Sequence, residues 1–144
     1  MMYRKLIDVT CGPAEAFAYV SDFSRVAEWD PAVVEARALG DASPVGVGSR
    51  FELVALFRGK RQRFEYVVSE LDEGRRIQLV GEGEKARSRD TISVTAVEGT
   101  TQVAYEADIR LKGLLRAAEP LLGATFRRMG DDALDGLQQR LGGR

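Results

Sequence analysis

The stretch LLRAAEPLLGATFRRMGDDALDGLQQRL, residues 114–141, reads as one long amphipathic helix. Its apolar positions Leu115, Ala118, Leu122, Phe126, Met129, Ala133, Leu137 and Leu141 recur at spacings of three and four, so they share one face. Such a helix needs a partner surface, and the alternating strands before it offer one: a curved sheet with an apolar inner face. Whether the space between them is filled or hollow decides what the chain can do. Pro120, Gly123, Gly130 and Gly136 interrupt the pattern. Proline inside a helix costs about 3 kcal/mol, so a break or fresh start near Glu119 is expected. The small residues Ala118, Gly123, Gly130, Ala133 and Gly136 are poor filler and glycine weakens a helix, which points to space or mobility there.

Upstream, residues 3–10 read as a first strand ended by Gly12-Pro13. Proline suits a first helical turn, so a short helix starts there, with Phe17 and Val20 on its buried side. A second short helix follows at about 23–28, capped by Asp22 or Ser24 and ended by Pro31. Six further strands are expected at about 33–39, 49–58, 61–71, 76–80, 87–97 and 101–111. Between them lie the loop 40–47 and turns at Gly59, Asp72-Glu73-Gly74, Gly81-Glu82-Gly83 and Glu98-Gly99. Tight glycine turns join antiparallel neighbours, so these strands form a meander. The whole of 1–144 is expected to be one domain with its own core.

Composition narrows the chemistry. With 21 Lys plus Arg against 22 Asp plus Glu, bulk charge gives no pull toward nucleic acid or an anionic membrane. No apolar run approaches the ~20 residues of a membrane span. The start, Met1-Met2-Tyr3-Arg4-Lys5, lacks a signal-peptide core, so a cytoplasmic protein is expected. The absence of His removes Ser/His/Asp and Cys/His nucleophile systems and imidazole-based zinc sites. The single cysteine, Cys11, allows no internal disulfide and reads as an inert small residue. No cofactor and no metal is implied. Gly46-x-Gly48 and Gly81-x-Gly83 open no helix in a βαβ unit, which argues against nucleotide binding.

Strand parity sorts the side chains. Phe51, Leu53, Ala55 and Phe57 share one face, as do Phe64, Tyr66 and Val68, then Ile77 and Leu79, then Ile92 and Val94, then Val103, Tyr105, Ala107 and Ile109. Arg87, Arg89, Glu106, Asp108 and Arg110 take the wet face. Asp90 falls on the dry face beside Ile92. A carboxylate there is costly unless paired or protonated. It reads either as a ligand-orienting group or general base, or as a structural partner of an Arg or Tyr.

The layout resembles the START-like, or SRPBCC, superfamily. Gly12-Pro13-Ala14-Glu15-Ala16-Phe17 looks like its strand-to-helix junction. The segment from Asp22-Phe23 to Glu28-Trp29-Asp30-Pro31 is similar to its D-F…W-x-P pattern. Gly46-Val47-Gly48-Ser49-Arg50-Phe51 and Gly99-Thr100-Thr101-Gln102-Val103-Ala104-Tyr105 resemble its strand openings. The resemblance implies an α+β helix-grip fold: a seven-stranded curved antiparallel sheet wrapped around a long C-terminal helix, with two short helices after the first strand. It also implies an apolar cavity for lipids, sterols or polyketides, with some members cyclising polyketide chains, and it supplies no universal catalytic motif.

The expected partner is therefore a hydrophobic small molecule, lipid-like or polyketide-like, and pairing of two copies as a homodimer stays open. Expected ligand contacts are Trp29, Phe51, Leu53, Phe57, Phe64, Tyr66, Asp90, Ile92, Tyr105, Leu122, Phe126 and Met129, and plain core packing is the competing reading of the aromatics. Trp29 is expected near the cavity mouth, where it either gates entry or caps the core. In the enzymatic alternative, a cyclase or dehydrase, Asp90 is the base and Tyr66 or Tyr105 donates to an oxyanion. A protein-interaction module is the third reading. Arg58, Lys60, Arg61 and Arg63 cluster at one hairpin, with Arg75, Arg76, Lys85 and Arg87 in others. They either hold an anionic head group or form a solvated edge balanced by nearby Glu.

Overall fold

A computed structural model describes residues 1–41 and 43–142. Strand β1 (Met2–Val9) leads into helix α1 (Pro13–Ser21) and a short 3-10 helix, Phe23–Glu28. The meander follows as β2 (Val33–Leu39), β3 (Arg50–Phe57), β4 (Lys60–Asp72), β5 (Arg76–Gly83), β6 (Ala86–Val97) and β7 (Thr100–Leu111). A second 3-10 turn, Gly113–Ala118, runs into α2 (Glu119–Arg140). The sheet order is β1-β7-β6-β5-β4-β3-β2, all neighbours antiparallel. This is the helix-grip arrangement. Asp22 caps the first 3-10 helix, its carboxylate accepting from Ser24 N at 3.1 Å. The helix break falls at Glu119, where proline enters the first turn of α2.

The turn expected at Gly81-Glu82-Gly83 is not one. Both glycines lie inside β5, which is longer than the 76–80 that a glycine turn indicated, and the turn follows at Glu84-Lys85. The reason is aromatic. Tyr66 and Phe64 sit opposite Gly81 and Gly83 on β4, and their rings lie over the glycine backbone. A Cβ on Gly83 would stand 2.7 Å from the Phe64 ring. By contrast Arg58-Gly59 and Glu98-Gly99 are true two-residue turns, with positive φ at both positions of each.

The core fills one end of the sheet only. Phe17, Val20 and Phe23 from the short helices cover Phe51, Val68, Ile77, Ile92, Val94 and Val103, all buried. Helix α2 follows the same division. Its buried side chains are Ala133, Leu134 and Leu137, in the C-terminal half. Leu134 lies outside the apolar stripe read from the sequence. Several hydrogen bonds fasten this half: Tyr3 Oη donates to Asp131 at 2.7 Å, Gln138 Nε2 to the Asp8 carbonyl at 2.9 Å, and Arg140 Nε to the Glu28 carbonyl at 3.0 Å. Leu122, Phe126 and Met129 in the N-terminal half are only partly buried.

Two of the helix glycines correct the expectation that small residues there leave space. Gly130 lets the Tyr3 ring approach, and a Cβ there would stand 2.6 Å from it. Gly136 lets the Trp29 carbonyl oxygen sit against the helix, where any Cβ would collide with it. Both are close-approach positions. Of the three, only Gly123 faces open space.

Candidate functional site

Under the N-terminal half of α2, at the end of the sheet that the short helices leave bare, lies a pocket of about 640 Å³. Ten of the twelve expected ligand contacts line it. Leu53, Phe57, Phe64 and Tyr66 come from β3 and β4, and Asp90 and Tyr105 from β6 and β7. Trp29 follows the first 3-10 helix, and Leu122, Phe126 and Met129 hang from α2. Phe57 and Phe126 stack face to face across the gap, with centroids 5.1 Å apart and planes 8° apart. Phe51 and Ile92 do not line the pocket. Both are wholly buried in the core beneath the short helices. Alternation identifies a face of a strand, and this face is core at one end and pocket at the other.

Trp29 also departs from its expected place. It is only 4% exposed and meets Tyr105 edge-on, with ring centroids 6.2 Å apart. It belongs to the pocket floor, against the core. The mouth is elsewhere: exposed Arg58, Lys60, Lys85, Leu115 and Leu121 line the opposite end, from the β3–β4 and β5–β6 turns and the start of the C-terminal helical segment.

The floor holds a polar cluster. Asp90 is buried, as parity predicts, and two hydroxyls serve it: Ser88 Oγ donates to Oδ1 at 2.5 Å and Tyr105 Oη donates to Oδ2. Burial pushes its carboxyl up to about 6, against the two hydroxyls, which favour its charge. Asp30 faces the same pocket and accepts from Ala32 N at 2.9 Å. Burial pushes it to about 6 as well, with the charges of Asp90 and Asp132 adding to the rise. Burial raises the phenols of Tyr66 and Tyr105 well above 10, so both stay protonated donors. The indole Nε1–H of Trp29 is buried without an acceptor among the described residues. The cluster therefore offers proton acceptors near neutrality beside phenol and indole donors. No group of three or more His, Cys, Asp or Glu among the described residues is placed to hold a metal.

Ser88 shares the parity of Asp90, so alternation carried the signal for it. Tyr3 shares the parity of buried Ile7 and Val9 on β1, so alternation carried its signal too, and Gly130 lets its ring approach α2. Asp30 gave none, because it sits in a turn, where no periodicity assigns a direction.

The sequence matches the family model described as polyketide cyclase/dehydrase and lipid transport over residues 4–142. The chain belongs to that family. Solved structures agree on the fold of this family member. TTHA0849 from Thermus thermophilus superposes with TM-score 0.82 at 18% identity, covering 98% of this chain and 97% of that one. A START superfamily protein from Mycobacterium smegmatis gives 0.75 at 19%, covering 97% and 98%. The Zhui aromatase/cyclase from Streptomyces sp. R1128 gives 0.81 at 13%, covering 98% and 93%. At such identities the likeness is one of fold alone. No curated protein matches the chain in sequence. No helix among the described residues is long and apolar enough to cross a membrane.

Proposed function

We propose that the protein binds a hydrophobic small molecule, lipid-like or polyketide-like, in the pocket beneath α2. The observation that carries this reading is the pocket's division: apolar walls of Leu53, Phe57, Phe64, Leu122, Phe126 and Met129, with buried polar groups gathered on one floor. Ligand sites are commonly built this way, from apolar area for affinity and a few polar groups for orientation. Membership of a family described by cyclisation, dehydration and lipid transport supports it. Native mass spectrometry of freshly purified protein, with organic extraction, tests it. A co-purified lipid or aromatic is expected. Phe126→Ala removes one ring of the Phe57 stack and should weaken uptake of an apolar fluorescent probe roughly tenfold, the scale of one lost aromatic contact. Unchanged uptake with lowered stability would make Phe126 plain core.

A second reading, an enzyme of the cyclase or dehydrase type, is favoured by one observation: the buried Asp90 carboxylate, which burial pushes up to about 6, accepts a hydrogen bond from the Tyr105 phenol. Asp90 would take a proton from an acidic C–H, and Tyr66 or Tyr105 would donate to the enolate oxygen. Asp90→Asn should then lower product formation at least a hundredfold with a candidate polyketide substrate. Product formation at the wild-type rate would remove Asp90 from that role.

A further inference from the structure

We infer that the ligand is an anionic amphiphile, its charged head held at the mouth by Arg58, Lys60 and Lys85 and its apolar body lying in the pocket. This rests on the pocket reading above and adds the ligand's charge and orientation.

The basic residues seen in the sequence divide sharply in the structure. Arg61 pairs with Glu35, Arg63 and Arg37 share Glu52, Arg76 pairs with Glu70, and Arg87 and Lys112 share Glu82. These form the balanced edge. Arg58, Lys60 and Lys85 differ in two ways. All three line the pocket, and among the described residues none has a carboxylate within ion-pair distance. The turns that carry them lie at the same end of the sheet, since Phe64 on β4 pairs with Gly83 on β5. Acidic groups nearby are engaged or turned away. Glu82 is held by two cations, Glu119 accepts from Leu111 N at 2.9 Å, and exposed Glu84 is outside the pocket lining.

The two ends of the pocket also set a direction. The floor carries Asp30 and Asp90 with no cation against either among the described residues, so an anion pushed inward meets like charge. At the mouth it meets three cations and the side-chain amide of Gln62. Leu115 and Leu121 line the same opening although 39% and 83% exposed, giving an apolar lip beside the charges. A head at the mouth and a tail beneath α2 satisfies both ends; the reverse satisfies neither.

The test compares dodecanoate, dodecyl phosphate, methyl dodecanoate and dodecylamine, each below its micelle concentration, by displacement of a neutral fluorescent probe. Wild type is set against a triple variant, Arg58→Gln, Lys60→Gln and Lys85→Gln, whose fold is checked by circular dichroism. The anions are expected to bind about tenfold tighter than the ester at low salt, the scale of three exposed ion pairs. That advantage should shrink with salt, because exposed charges are screened within ~10 Å at 0.1 M. In the triple variant the anions should fall to the ester's level. Equal binding of ester and anions, tighter binding of the amine, or an anion preference that survives in the triple variant overturns the inference and leaves the pocket reading standing. Binding of none of the four, charged or neutral, overturns the pocket reading and this inference with it.

Discussion

Asp90→Asn should stabilise the protein at about pH 7.5 by roughly 3 kcal/mol, and the gain should disappear toward pH 4. The magnitude follows from a carboxyl raised from 3.8 to about 6, at about 1.4 kcal/mol per pKa unit. The sign follows from where the proton sits. Below the unfolded value both states hold it, and Asp90 costs nothing. Between about 4 and 6 the unfolded chain releases the proton while the folded chain keeps it, so stability falls as pH rises. Above the folded value the deficit is constant. An asparagine never ionises and escapes it. The amide fits the site if its oxygen accepts from Tyr105 and its NH₂ donates to Ser88 Oγ, reversing one hydrogen bond. Asp30 adds to the gain, since part of its own rise comes from the Asp90 charge. Urea unfolding of both proteins from about pH 4 to 8 gives the difference curve, which cancels the exposed carboxylates common to both. A flat difference, or an asparagine variant less stable at about pH 7.5, would show that the two hydroxyls outweigh desolvation.

A carboxylate that bears such a deficit at neutral pH takes up a proton more readily than an exposed aspartate does. Ligand hydroxyls or a C–H acid at the floor would meet a carboxylate whose own charge is poorly solvated. The floor and mouth thus differ in kind. The mouth offers exposed cations, screened by salt; the floor offers desolvated acids, governed by pH. Salt and pH should therefore report separately on the two ends of one pocket.

Much of this is legible in the chain. Alternation places the strands of the meander, β5 only in part, and sends Asp90 inward, because a half-buried antiparallel sheet writes its two faces into parity. Pro120 marks the break in the last helix, because proline tolerates only the first turn. Parity has no information along a strand, and that is why Phe51 and Ile92 read as pocket when they are core. The boundary is drawn by α1 and the first 3-10 helix, which cover one end of the sheet, a tertiary fact. Trp29 is misplaced for the same reason: its distance from the mouth depends on which end stays open. Asp30 is silent because a turn has no period.

The glycines are the least legible of all, and they yield the strongest test of packing. Gly81→Val should destabilise the fold by about 1–3 kcal/mol, the usual cost of overpacking a filled site. Strand propensity alone gives the opposite sign once Gly81 is placed in β5, since valine suits a strand far better than glycine. The structure decides between them. Gly81 is buried opposite Tyr66, and a Cβ would stand 2.6 Å from Cε2 of that ring. Tyr66 cannot yield freely, because Phe23 packs on it edge-on at 5.2 Å between centroids and Phe64 flanks it at 6.2 Å. Any room the ring finds lies toward the pocket, so the valine should also lower uptake of apolar probes. A double-mutant cycle isolates the contact. In a Tyr66→Ala background the penalty of Gly81→Val should nearly vanish, a coupling of about 1 kcal/mol or more, the size that touching residues show. An equal penalty with and without the ring would mean that the β5 backbone, and not Tyr66, demands glycine. Coupling of the expected size would establish that Gly81 is there to seat the Tyr66 ring, and that this part of the pocket's inner wall is built on that seating.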